Sequence, residues 1–295
     1  MYFGTVALVL FLLLAITLLV VQARGKRLRE RCQGSLRELE RISCLRHLLE
    51  LVQQHRGLSF GEMSGEGSLH ARRWAVHQEI MAQLDRCKVH EGSLQWYPGW
   101  HQALGQWAQI TAGDVASADA LLRSHNRMLA LLLGTIRGIA ERHDLECLGT
   151  LAAQPGGCWL QLLEHSEILG QARAIGTGIA ARREGDPMLC TELEALRGRI
   201  AEQAYLPLAQ LHADPQLRSF MAAKVQEAED SLDRFLELID QMVAAEHNAV
   251  PASVSYFQTA THAINAHLVL VDQLLERLKK VNRDGLLAPA KPELH

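Results

Sequence analysis

The stretch Leu45-Arg46-His47-Leu48-Leu49-Glu50-Leu51-Val52-Gln53-Gln54-His55-Arg56-Gly57-Leu58-Ser59 decides how the chain is read. Leu45, Leu48, Leu49 and Val52 recur at i, i+3, i+4 and i+7, which is the period of an amphipathic helix and not the alternation of a strand. The apolar stripe runs out at Arg56, with Gly57 and Ser59 just beyond. A second stretch, Leu169-Gly170-Gln171-Ala172-Arg173-Ala174-Ile175-Gly176, repeats the arrangement inside a predicted helix from Trp159 to Arg183. Two leucine-rich helices thus each carry an arginine among small residues.

Composition agrees with a helical chain. Of 295 residues 48% are hydrophobic and only 5% aromatic, which favours Leu/Ala-rich helices over sheets and leaves enough apolar mass for one large core or two modest ones. The net charge of -3 gives no overall positive field, so no nucleic-acid partner is expected. The six cysteines, Cys32, Cys44, Cys87, Cys147, Cys158 and Cys190, form no CxxC pair and keep no regular spacing. A disulfide framework is therefore not expected, and a reducing compartment suits the pattern better.

Residues 1–23 hold no charged side chain, and Val6 to Val21 is almost continuously apolar. This predicts a transmembrane anchor, since about 20 apolar helical residues span a hydrocarbon core. A cleaved signal peptide is the competing reading, but no Lys or Arg precedes Arg24 to form its basic leading region. Arg24, Lys26, Arg27, Arg29 and Arg31 follow within a basic segment at 24–35. By the positive-inside rule they predict a single-pass protein of the inner (cytoplasmic) membrane with its C-terminal domain facing the cytoplasm.

Beyond this segment, residues 36–283 read as one helical sensing domain and 284–295 as a loose tail. Leu36 to Gln54 continues the first helix as a stalk, and the glycines from Gly57 to Gly67 predict a break. Helices are predicted at Ser68–Cys87, Trp100–Ile110, Asp114–His143, Trp159–Arg183 and about Cys190–Ala204. Gln154-Pro155-Gly156-Gly157 marks a sub-boundary. Two further helices keep a spacing of about 3.5 residues: Met221, Val225, Ala228, Leu232, Phe235, Ile239 and Met242, then Phe257, Thr261, Ile264, Leu268, Val271, Leu275 and Leu278. Such seams belong to bundles or coiled coils. The predicted architecture is all-α, an anchor followed by two antiparallel four-helix bundles.

Signatures of catalysis are absent: the chain has no GxxxxGK[ST], GxGxxG, GxSxG or HExxH. No enzyme activity, cofactor or metal is expected, the fourteen histidines being scattered. Trp96, Trp100 and Trp107 read as bundle packing. The arginines are the informative residues. Arg173 has Leu169, Gly170, Gly176 and Thr177 at helical i±3 and i±4, and Arg56 has Val52, Gln53, Ser59 and Phe60. With no local acid, each must reach solvent, pair with a distant carboxylate or bind an anion, because an unpaired buried guanidinium is too costly. The fork of an arginine suits a small planar oxyanion.

These segments resemble the nitrate- and nitrite-sensing (NIT) domain family. Leu48 to Ser59 is similar to its LxxERGLS-like segment, and Leu169 to Gly176 carries a second arginine motif. Tyr256-Phe257-Gln258-Thr259-Ala260-Thr261-His262-Ala263-Ile264 resembles its aromatic-x-x-x-T-x-x-I segment. The resemblance spans Leu36 to Lys280. It implies a pair of four-helix bundles that hold nitrate or nitrite between helices through arginines and pass a helix shift to an output domain. Carried onto this chain, the ligand-binding residues are Arg56 and Arg173, with Ser59 and Thr177 as neighbouring hydroxyl donors. His55 departs from the family's charged residue at that position, and no kinase, cyclase, antiterminator or chemoreceptor signature follows Lys280. The reading is a membrane-anchored sensor or adaptor that signals to a protein partner or as a homo-oligomer. The alternative is a non-sensing, membrane-tethered helical scaffold.

Overall fold

A computed structural model describes residues 2–113, 117–145, 158–182, 186–213, 215–244 and 251–287. Every regular element among them is helical. The helices are α1 (Tyr2–Met63), α2 (His70–Cys87), α3 (Glu91–Leu94), α4 (Pro98–Thr111), α5 (Ala118–Arg142), α6 (Cys158–Arg182), α7 (Pro187–Gln203), α8 (Tyr205–Ala213), α9 (Pro215–Ala244) and α10 (Ser253–Leu287).

Local chemistry explains several boundaries. At the end of α1, Glu66 N–H donates to Gly61 C=O at 3.1 Å and Gly65 N–H to Glu62 C=O at 3.0 Å. This is a Schellman closure, and Gly65 takes the required positive φ of 116°. The break foreseen over Gly57 to Gly67 is therefore shorter than expected, because Gly57 and Gly61 remain helical. Ser117 caps α5 by accepting from Ala120 N–H, and Asp186 caps α7 from Met188 N–H with Pro187 in the first turn. α10 continues through Asp284 to Leu287, where a loose tail was foreseen. The sub-boundary at 154–157 lies outside the described residues.

α1 packs against α2 and α5, and α4 against α5, while α6, α7, α9 and α10 pack among themselves. α1 also lies along α6 and α10, so it belongs to both groups. The seam residues behave as foreseen. Met221, Val225, Ala228, Leu232, Phe235, Ile239 and Met242 are all buried, as are Phe257, Ile264, Leu268, Val271, Leu275 and Leu278. Trp100 and Trp107 are buried too, whereas Trp96 is exposed.

The transmembrane expectation is corrected. Among the described residues no helix is long and apolar enough to cross a membrane. The first helix, α1, runs straight on through the charges from Arg24 to Arg31. The inner-membrane, single-pass location and the cytoplasm-facing orientation built on that anchor fall with it.

Candidate functional site

Arg56 on α1 and Arg173 on α6 are among the largest fully buried side chains described, at 0% and 1% exposure. Neither reaches solvent. Of the four buried arginines among the described residues, three meet carboxylates: Arg41 meets Glu38, Arg46 meets Glu50 and Asp272, and Arg56 meets Glu167. Arg173 is different. Its Nη1 donates to Thr261 Oγ1 at 3.0 Å, and its guanidinium lies 4.8 Å over the Phe257 ring. Its Nε and Nη2 are buried with no hydrogen-bond partner among the described residues. These two N–H groups share one edge of the guanidinium, the edge that grips a planar oxyanion with two parallel bonds.

Helices come unusually close at this point because glycines line the crossing. A methyl group at Gly57 would stand 2.9 Å from Phe257 Cε2 and 3.5 Å from Arg173 Nε. One at Gly170 would stand 2.7 Å from Arg56 Nη2, and one at Gly176 would overlap the Tyr256 ring. The small residues that flank both arginines in the sequence are thus the seats into which the neighbouring helices fit. Tyr256 Oη donates to Ala172 C=O at 3.1 Å and fixes α10 beside the arginine motif of α6.

Glu167 is the counter-charge of the site. It accepts from both terminal nitrogens of Arg56, from Gln53 Nε2 at 2.9 Å and from Gln171 Nε2 at 3.1 Å. Arg56 Nη1 also donates to Asn126 Oδ1 at 2.8 Å, and its Nε has no partner among the described residues. Burial pushes the Arg173 guanidinium down to about 9, and the nearby Arg56 cation adds to this, while Glu167 and Glu50 oppose it. Arg56 thus has Glu167 as its counter-charge, while the neighbouring buried Arg173 keeps a bare donor edge. This arrangement can hold a small anion.

Of the residues foreseen, the two arginines, carried by α1 and α6, come within electrostatic reach of each other, and Glu167, which bonds Arg56, also acts on Arg173. Ser59 turns away, its hydroxyl lying 3.2 Å from His55 Nδ1. The Thr177 hydroxyl donates to Arg173 C=O at 2.7 Å within its own helix. The hydroxyl that Arg173 meets is that of Thr261, which donates to Phe257 C=O and so presents a lone pair to Arg173. Thr261 stands in the third quoted motif, but its spacing there matched a packing seam. Glu167, Asn126 and Gln53 were missed. Glu167 lies six residues before Arg173 and reaches Arg56 on another helix, a pairing that no single-helix spacing displays.

His55 belongs to a separate polar cluster. His125 Nδ1 meets Leu121 C=O at 2.8 Å and must donate there. Its Nε2 is then the acceptor for His55 Nδ1 at 2.9 Å. Burial holds His55 neutral, pushed down to about 2, with His125, Arg73 and His77 adding repulsion. His55 is thus no second cation beside Arg56, and that part is taken by Arg173. An open cleft lined by Glu194, Arg197 and Asp240 offers no rival anion site, because Asp240 already grips Arg197 at 2.8 and 2.7 Å.

The family model described as nitrate and nitrite sensing matches residues 47–279, well over half of the chain. The chain belongs to this NIT family. Its match begins just before Arg56 and ends after the last seam, so both arginines and Glu167 fall inside it. No curated protein matches. Among solved structures, one described as the NasR transcription antiterminator is similar with a TM-score of 0.69 and 18% identity, covering 92% of this chain and 76% of that one. At that identity the likeness concerns the fold.

Proposed function

We propose that this NIT-family chain senses nitrate or nitrite, holding the ion on the free Nε/Nη2 edge of Arg173 with the Arg56 cation alongside. The observation that carries this reading is the buried donor edge of Arg173, with a hydroxyl and an aromatic ring but no carboxylate among its described partners. An oxyanion there supplies the missing charge. It also weakens the hold of Glu167 on Arg56, and so loosens the tie between α1 and α6. Because α1 packs in both helix groups, that change travels to the other group and on to a protein partner or a second copy of the chain. Thr261 orients the Arg173 guanidinium by accepting from Nη1, which leaves the Nε/Nη2 edge for the ion. The expectation of no nucleic-acid partner rests on the net charge of -3. The scaffold reading drew on the apolar seams, but those side chains are consumed in packing.

The test is thermal unfolding of the chain in nitrate, nitrite or chloride at equal ionic strength. A ligand that binds only the folded state at about a hundred times its Kd adds about 2.7 kcal/mol. The parent is expected to melt higher in nitrate or nitrite, and Arg173→Met to show no such rise. An equal rise in both proteins, or none in the parent, overturns the proposal.

A further inference from the structure

We propose that Cys44 and Cys87 are a redox-active pair that closes reversibly into a disulfide, fastening the C-terminal end of α2 to the middle of α1. The two sulfurs face each other across the α1/α2 contact at 2.6 Å. Cys87 is fully buried, while Cys44 is partly open to solvent. The pair therefore has one sulfur that an oxidant reaches and one that resolves the product, which is the division of labour of a thiol switch.

The surroundings are built for a reactive Cys44. Buried Gln83 donates from Nε2 to Cys44 Sγ at 3.4 Å and to Cys44 C=O at 2.9 Å, and Arg86 orients it by donating to Gln83 Oε1 at 3.1 Å. The Cys87 thiol donating to Cys44, with His47 and Arg86 nearby, draws the Cys44 thiol down, whereas the contact with Cys44 and burial push Cys87 up. The first thiolate is thus Cys44.

With a peroxide as oxidant the step balances. Cys44 sulfur attacks one peroxide oxygen, the O–O bond breaks, and the departing hydroxide becomes water, leaving a sulfenic acid on Cys44. Cys87 sulfur then attacks Cys44 sulfur, the S–O bond breaks, and the second hydroxide leaves as water with the Cys87 proton. Two thiols lose two electrons and one peroxide becomes two waters.

α2 carries Arg72, whose guanidinium stacks 4.9 Å over the Phe257 ring that Arg173 also covers at 4.8 Å. Cys87 lies about 22 Å along the helix from Arg72, so the link anchors the far end of the helix that borders the arginine site. It does not enter that site, and the pair stands or falls independently of the anion reading.

The experiment treats the whole chain with hydrogen peroxide under native conditions, alkylates the remaining thiols, and maps peptides by mass before and after dithiothreitol. The expected product is a peptide joining Cys44 to Cys87, lighter by two hydrogens and released by the reductant. In Cys87→Ser the join is lost and Cys44 carries one added oxygen instead. The parent reading needs no variant to fold. If both thiols of the oxidised parent alkylate as fully as in the untreated protein, or if Cys44 joins another cysteine instead, the proposal is overturned.

Discussion

Replacing Glu167 by Gln keeps the shape of the side chain and removes the charge that pairs with the buried Arg56. In the parent this carboxylate accepts four hydrogen bonds, two from Arg56 and one each from Gln53 and Gln171. A glutamine has one oxygen, so one of its two ends must turn an N–H group toward donors. Taking one partner from a buried ion pair costs about 3–5 kcal/mol, and the retained shape and remaining acceptor place this variant near 3. At roughly 2 °C per kcal/mol for a chain of this size, melting in chloride falls by about 6 °C.

The same substitution is expected to sharpen the anion response. With Glu167 neutral, Arg56 has lost its counter-charge and the field at Arg173 is more positive, so nitrate meets less opposing charge. A tenfold gain in affinity corresponds to about 1.4 kcal/mol, so at equal nitrate the rise in melting temperature exceeds that of the parent. The assay is a pair of melting curves for parent and variant, in chloride and in nitrate. Equal melting in chloride refutes the counter-charge role. A nitrate response that disappears with the charge refutes the idea that the Glu167 charge opposes the anion.

Further predictions concern the packing and the buried histidines. Gly176→Ala drives a methyl group into the Tyr256 ring, and overpacking of this kind typically costs about 1–3 kcal/mol. Gly34→Ala meets nothing within 4 Å and gains up to about 1 kcal/mol of helix propensity, so the two variants are expected to shift the melting temperature in opposite directions. His125 and His267 are pushed down to about 4 by burial, and His55 to about 2. Between pH 6.5 and about 4 the unfolded chain takes up protons on these histidines and the folded chain does not. Stability is therefore lost as the pH falls, by up to about 1.4 kcal/mol per pH unit for each such group. His267→Phe is expected to flatten urea-measured stability against pH in that window, and an unchanged slope refutes the neutral buried state.

Much of the fold was legible because helical periodicity is a local property. The seams from Met221 to Met242 and from Phe257 to Leu278 declare their buried faces in their spacing alone, and those faces are buried. Gly57 and Gly61 misled for a physical reason: glycine in a helix reads as a break, yet here it answers to Phe257, Leu69 and Thr177 pressing in from other helices. The N-terminal apolar run misled in another way, since hydropathy describes a stretch and not the helix that contains it. Within the site, Arg56 and Arg173 stood out because their own helix turns hold no acid. Glu167 and Asn126 stayed hidden because their roles exist only after α1, α5 and α6 have met.

The stability balance of the arginines gives the last step. Arg41, Arg46 and Arg56 each have a carboxylate, so folding leaves their charge satisfied. Arg173 is buried as deeply and has a threonine hydroxyl and an aromatic face instead. A fall from 12.5 to about 9 in its affinity for the proton corresponds to a few kcal/mol against the charged form. Neutral packing alone would be met more cheaply by a methionine of similar length, with no N–H groups left over. In the proposed function an anion on the free edge removes that penalty, and the energy stored by burying Arg173 becomes energy released on binding. The glycines let α1, α6 and α10 come close enough for a small ion to be felt by both helix groups at once.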